Sequence, residues 1–426
     1  MNNYVGWTGV ATMIALAALL SSDRRRISPR IILGGVALQL LLAWLLLAFR
    51  PVADAFEAVA RVVTRVVGFA DAGARFVFGE LVDPTQPWGF IFAVKALTVI
   101  IFFASLMGVL YHWGIMQRVI AALAWVLRRS IGVTGTEAIA MAANVFVGQT
   151  EAPLCVKPFV PTMTRSQLTT LMVGGFATIA GSVMAAYISI LGGGDEARGV
   201  LFAKHLLTAS VMSAPAALVI AKILTPETEA PPSEAVHLEL EQATVNTLDA
   251  AASGASDGLR LALNVGAMLI AFVSLLALVN WPIEALGEWG PIRAWREARE
   301  IGPLSLQMIL GWLLAPLAWT MGAPWSDCVA FGSLLGEKLV ATEFVAYLSL
   351  ARDMNAADPI LQPRSAQIAA YALCGFANFP SIAIQIGGLS AIAPNRRADL
   401  ASLGLRAMLG GALASWMTAA IAGLFI

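Results

Sequence analysis

Residues 148–154 read Gly148-Gln149-Thr150-Glu151-Ala152-Pro153-Leu154, inside a stretch, 133–161, that is apolar enough for a membrane yet carries a carboxylate at its middle. Residues 326–352 show the same anomaly, with Glu337, Lys338, Glu343 and Arg352 in an apolar setting, and Thr342-Glu343 matches Thr150-Glu151. A membrane tolerates such backbone only where protein or a water-filled cavity covers it. Each stretch is therefore predicted to form a re-entrant hairpin with its Glu near the tip. A second echo lies downstream of each, Gly175-Phe176-Ala177-Thr178 and Gly375-Phe376-Ala377-Asn378, followed by Gly181-Ser182 and Pro380-Ser381. A polar, Gly- or Pro-interrupted site halfway along an apolar span predicts a broken helix.

Between the two Thr-Glu units the hydropathy pattern predicts crossings at 167–191, 200–222 and 258–280. Three is odd, so the second unit is inverted relative to the first. Inverted repeats whose broken helices meet at the midplane are a secondary-transporter architecture.

The rest of the chain agrees. Of its 426 residues, 58% are hydrophobic and 13% charged, with a mean hydropathy of +0.77. Soluble domains carry about a quarter of their residues as charges, so an ordinary soluble enzyme is excluded. The 27 basic and 27 acidic residues cancel, which removes the footprint of a nucleic-acid binder. Cys155, Cys328 and Cys374 form no CxxC pair, and His112, His205 and His237 are scattered, so neither set reads as a metal site.

The predicted fold is an all-α polytopic membrane protein with eight transmembrane helices, two re-entrant hairpins, an inverted repeat and interfacial helices. The other spans fall at 4–20, 31–49, 91–111, 365–393 and 400–425. Charged residues at helical spacing make 53–76 interfacial, and Arg118, Arg128 and Arg129 flanking the apolar run 119–127 give it the same reading. The chain divides into N-terminal spans and periphery (1–90), a first repeat (91–225), a cytoplasmic linker (226–257) and a second repeat (258–426). Arg24-Arg25-Arg26 is expected to stay cytoplasmic, which puts both termini on the extracytoplasmic side. Arg396-Arg397 then falls inside, whereas Arg293, Arg296 and Arg299 fall outside, against the rule.

A carboxylate at the bilayer centre costs about 2.5–3.5 kcal/mol on the insertion scale, so Glu151 and Glu343 need a partner or a wet cavity. Lys157 and Lys338 are available, but their spacings of six and five residues do not share a helix face at the favoured i+3 or i+4. A binding role is the stronger reading. Asn144, Gln149 and Thr150 surround Glu151; Asn378 and Ser381 are candidates beside Glu343. Without clustered arginine the set suits a neutral ligand with several hydroxyls and a heterocycle, against which Phe376 can lie. Opened backbone at Val147 and Thr178–Ile179, with the Thr178 hydroxyl, offers oxygens to a hard cation such as Na⁺. The alternative for Thr178 is a hydroxyl bonded back to its own helix. With no His near either Glu motif, a membrane-embedded enzyme lacks its base, and polar groups converging on one point favour a carrier over a channel.

Those motifs, with Glu343-Phe344-Val345-Ala346-Tyr347, Cys374-Gly375-Phe376-Ala377-Asn378-Phe379, Ile384-Gln385-Ile386-Gly387-Gly388 and Ala393-Pro394-Asn395-Arg396-Arg397, resemble the concentrative nucleoside transporters from about residue 90 to the end. The resemblance implies import of nucleosides such as uridine by sodium symport, in a homotrimer whose transport domains move like elevators. It implies that Gln149, Thr150, Glu151 and Val183 contact the base, that Glu343, Asn378 and Ser381 hold the ribose, and that Phe376 lines the pocket. It places Na⁺ on Asn144, Val147, Thr178 and Ile179. The short form is similar to bacterial members, hence an inner-membrane location. Some of those are proton-driven, so H⁺ carried on Glu151 or Glu343 is the alternative coupling. Thr342 stands where the family usually has Asn, and Pro380 where it often has Ser.

Overall fold

The computed structural model describes residues 4–83, 91–230, 244–299 and 302–426, and among them the chain forms seventeen α-helices and no strand. The first three are α1 (Val5–Leu19), α2 (Pro29–Ala43, extended by a π turn to Ala48) and α3 (Arg50–Phe78). α3 buries Ala53, Ala60, Val67, Ala70 and Ala74 along one face, the amphipathic pattern expected for 53–76.

The remaining helices run in two passes of the chain. α4 (Phe92–His112) leads to the amphipathic α5 (Ile115–Ile131), to a hairpin opened by α6 (Gly135–Asn144), to the collinear pair α7 (Arg165–Ala177) and α8 (Gly181–Gly192), and to α9 (Glu196–Leu224). The second pass is α10 (Thr247–Gly287), a short α11 (Gly290–Glu297), α12 (Leu306–Thr320), the hairpin α13 (Cys328–Val340) and α14 (Glu343–Met354), the pair α15 (Pro363–Leu373) and α16 (Phe379–Ile392), and α17 (Arg397–Ala422). Six helical stretches are long and apolar enough to cross a membrane: 29–48, 92–112, 165–192, 196–224, 247–287 and 394–422; three shorter apolar helices are α1, α12 and α16.

Three features differ from expectation. α10 begins at Thr247, where the Asn246 side chain accepts from Asp249 N, so 247–257 is helix instead of linker; 231–243 lies outside the described residues. α12 was not anticipated, because its 15 residues fall short of the roughly 20 that mark a span. The return arm of the first hairpin is two 3₁₀ turns, Ala152–Val156 and Val160–Thr162, since Pro153, Pro158 and Pro161 remove the amide donors an α-helix needs.

Small residues set the closest helix contacts, as in other membrane bundles. A Cβ on Gly254 would stand 2.6 Å from the Ala104 carbonyl oxygen and one on Gly258 2.8 Å from the Ile101 Cα, so α10 rides directly on α4. Farther along the chain, a Cβ on Gly332 would lie 2.5 Å from the Gly311 carbonyl oxygen, joining α13 to α12. Gly332→Leu is expected to force these helices apart at a cost of about 1–3 kcal/mol. A lowered midpoint of thermal unfolding in detergent would register it; an unchanged midpoint would mean the contact is not needed.

Three helix ends share one polar node beneath the first hairpin. Lys222 on α9 pairs with Glu137 at 2.6 Å and Glu227 at 3.5 Å and donates to Ser166 Oγ at 2.9 Å. Thr134 and Glu137 form a capping box on α6, Thr164 and Gln167 another on α7. Gln167 Nε2 joins the two by donating to Thr134 Oγ1 at 3.2 Å. Each box satisfies amides that a helix start leaves open, so sequence-local capping fixes where the hairpin is rooted. The start of α1 packs against the end of the chain: a Cβ on Gly6 would touch Leu424, and the Arg364 guanidinium donates to the Ile426 carbonyl at 3.1 Å.

Candidate functional site

Both collinear pairs are broken, and the breaks touch. α7 ends at Thr178, whose backbone is extended, and α15 ends at Cys374. Phe376 N donates to the Thr178 carbonyl at 3.3 Å. Gly375, with φ of +146°, comes so close that a Cβ would stand 2.7 Å from the Phe176 carbonyl oxygen. The two Gly-Phe-Ala echoes thus lie against each other, which explains the need for glycine at 375.

Around this contact lies a cavity of about 450 Å³, a size that suits a small organic ligand. Its lining includes Gln149, Thr150 and Glu151 from the first hairpin, Val183 from α8, Glu343 from the second hairpin, and Phe376, Asn378 and Ser381 from the second break. All eight expected contact residues therefore face one space, although up to 232 residues separate hydrogen-bonded partners among them.

The Glu343 side of the cavity is held tightly. Glu343 is 3% exposed and is the first residue of α14, where helix dipoles favour negative charge. Tyr187 OH donates to its Oε1 at 2.9 Å and Asn378 Nδ2 to its Oε2 at 2.8 Å. Asn378 in turn caps α16, its Oδ1 accepting from Ser381 N at 2.8 Å, and Pro380 fits the first turn of that helix. Thr342 lines the same cavity with its hydroxyl buried and without a partner. Neither Glu151 nor Glu343 has an ion pair among the described residues. Lys338 turns away instead, donating to the Ala372 carbonyl at 2.8 Å and Ser415 Oγ at 2.9 Å.

On the opposite wall, Gln149 Nε2 donates to Ser381 Oγ at 3.2 Å and Gln149 Oε1 accepts from Gln385 Nε2 at 3.0 Å. Glu151 accepts from Gly148 N at 3.3 Å, leaving lone pairs toward the cavity.

The oxygens expected to hold a cation lie on adjacent segments. Asn144 is fully buried; its Nδ2 donates to the Ala140 carbonyl at 3.0 Å, and its Oδ1 has no hydrogen-bond partner. An orphaned buried oxygen of this kind costs free energy unless something binds it. Phe146 accepts from Gly181 N at 2.9 Å, which brings the turn carrying Val147 against the break at Thr178 and Ile179. The Thr178 hydroxyl donates to the Gly174 carbonyl at 2.8 Å, as the alternative reading expected, and its oxygen keeps lone pairs free to face a cation. The donors are all oxygen, which fits Na⁺.

One wall was not anticipated. α10 contributes Leu261, Asn264, Val265, Met268 and Leu269, a stripe at three- and four-residue steps. Asn264, a lone amide in an apolar span, is the signal that marks it in the sequence. Tyr187 and Gln385, which orient Glu343 and Gln149, were likewise not singled out.

Comparison with known proteins adds three matched regions: "Na+ dependent nucleoside transporter N-terminus" over residues 8–81, "Nucleoside recognition" over 93–194 and "Na+ dependent nucleoside transporter C-terminus" over 205–423. An uncharacterized transporter of Haemophilus influenzae is 45% identical over 98% of this chain and 96% of its own length. Solute carrier family 28 member 3 of Mus musculus is 42% identical over 99% of this chain, which spans 59% of that longer protein. Among solved structures, CNTnw in an inward-facing substrate-bound state superposes with a TM-score of 0.90 at 41% identity, covering 100% of this chain and 98% of the other.

Proposed function

The chain belongs to the family of Na⁺ dependent nucleoside transporters, membrane carriers and not enzymes, and on that premise we propose that it imports nucleosides such as uridine by sodium symport. The observation that carries this reading is the one cavity on which eight positions from four separated segments converge, seven of them polar or aromatic. The eight spans, two re-entrant hairpins, inverted repeat and homotrimer expected from the sequence belong to the same proposal. So does a bacterial inner-membrane location with both termini outside. Arg24–Arg26 beside the end of α9, where Ser22 N donates to the Leu224 carbonyl, mark the cytoplasmic end.

Na⁺ binds first, to Asn144 Oδ1, the Thr178 hydroxyl oxygen and the carbonyls of Val147 and Ile179. It ties the hairpin to the broken helix and so fixes the wall that carries Gln149, Thr150 and Glu151. A nucleoside then places its base on that wall beside Val183, its ribose hydroxyls on Glu343, Asn378 and Ser381, and a ring face against Phe376. With these groups covered, the binding unit crosses the bilayer as an elevator without bare polar groups in lipid. An inward cation gradient supplies direction, since one charge through 100 mV is worth about 2.3 kcal/mol.

Radiolabelled uridine uptake into proteoliposomes tests this, with a Na⁺ gradient and a pH gradient imposed separately. Accumulation is expected with Na⁺ alone; accumulation that follows only the pH gradient would transfer coupling to H⁺ on a carboxylate. Asn144→Leu removes the orphaned oxygen and is expected to abolish the Na⁺ stimulation. Retained stimulation would place the cation elsewhere.

A further inference from the structure

A second cavity, of about 300 Å³, lies beside the first and shares Glu151, Ala180 and Leu261 with it. Its walls are the ends of α4 and α5, the first-hairpin turn, the start of α8 and the first turns of α10. Seven oxygen-bearing side chains line it: Tyr111, Gln117, Glu151, Ser182, Thr244, Ser253 and Asp257. Tyr111 OH and Gln117 Oε1 are buried with no hydrogen-bond partner. Ser182 is 8% exposed, and its hydroxyl, like the Asp257 carboxylate, makes no bond among the described residues. Glu151 and Asp257 both line this one cavity.

No Lys or Arg is among the lining residues, and His112 at the rim is engaged with Thr244 Oγ1 at 2.8 Å. Two carboxylates with no Lys or Arg among the described lining residues, ringed by uncharged oxygens, favour a hard monovalent cation over a neutral ligand. Val147, a proposed ligand of the inner Na⁺, lines this cavity too.

We propose that this cavity is a second, release-side Na⁺ site, formed by Asp257 and Ser253 of α10 with Tyr111, Gln117, Ser182 and Glu151, which takes up the cation leaving the inner site. The inference rests on the transport reading above for the inner site and for the direction of travel. Asp257 acts from α10 and the inner ligands from the first hairpin and its neighbouring break, so only one arrangement of the two parts lets the cation pass between them.

The test is equilibrium binding of radioactive Na⁺ to the purified full chain with saturating uridine. The wild type is expected to bind a second Na⁺ beyond that of the inner site, and Asp257→Asn to lose it while uridine affinity stays unchanged. Tyr111→Phe, which removes one oxygen and keeps the ring, is expected to weaken the second site without abolishing it, so a fold defect in one variant does not decide the matter. A wild type that binds one Na⁺ and shows Na⁺-driven uptake would overturn the second site and leave the transport reading standing. Binding of no Na⁺, with uptake indifferent to it, would overturn both. A second uridine in place of the second cation would make the cavity a nucleoside vestibule and overturn the proposal.

Discussion

Replacing Glu343 with Gln is expected to cut nucleoside uptake by about a hundredfold or more, at matched expression and with the fold intact. Both carboxylate oxygens are already oriented, one by Tyr187 and one by Asn378, and their remaining lone pairs face the cavity. Glutamine replaces one acceptor oxygen with a donor. Turned toward Asn378, that donor meets the Asn378 amide hydrogens; turned toward Tyr187, it requires the hydroxyl to reverse. Either way the site also loses its negative charge. Hydrogen bonds to a charged group contribute about 1.5–3 kcal/mol each, so losing two for the ligand's hydroxyls accounts for the expected factor. Uridine uptake by Glu343→Gln near that of the wild type would remove Glu343 from the binding role. Asp at this position should retain more activity than Gln if charge matters more than reach.

The second large effect lies away from the ligand. Lys222→Met leaves the Glu137 carboxylate, 2% exposed, without its counter-ion, and breaking one side of a buried pair costs about 3–5 kcal/mol. The loss should appear as a lower midpoint of thermal unfolding in detergent. Uptake should fall as well, because Glu137 caps the first hairpin through Thr134. The double variant Lys222→Met with Glu137→Leu tests the cause: removal of both charges should restore most of the stability. A double variant as unstable as the single one would attribute the defect to lost packing of the lysine stem instead.

Much of the site was legible because the anomalies were local. Glu151 and Glu343 stand out in apolar stretches, and the echoes at 175–178 and 375–378 sit where helices break. The resemblance to nucleoside transporters then added Val183, and all eight expected contact positions line the same cavity. What stayed hidden depends on distance along the chain. Tyr187 lies 156 residues from the Glu343 that it holds, and Lys222 reaches Glu137 across the node with no spacing rule to announce it. α12 escaped because length was the criterion for a span, whereas its place is secured by the Gly311–Gly332 approach to α13. The α10 wall escaped because a side chain's direction around a long apolar helix is decided by what packs behind it.

That last helix has a mechanical reading. α10 has 41 residues, about 60 Å at 1.5 Å per residue, roughly twice the thickness of a bilayer core. One of its faces runs from Ala250 through Ser253, Asp257 and Leu261 to Val265 and Met268, bordering first one cavity and then the other. On the proposed elevator reading the face is a bearing surface with a built-in grade: small and polar toward the release side, and mostly apolar, with Asn264 alongside, at the inner cavity. A bound solute sliding along it would exchange a greasy wall for a wet one while its grip on the moving part stays the same. Unloading would then come from the change of track under the carriage, with no need for the clamp itself to open.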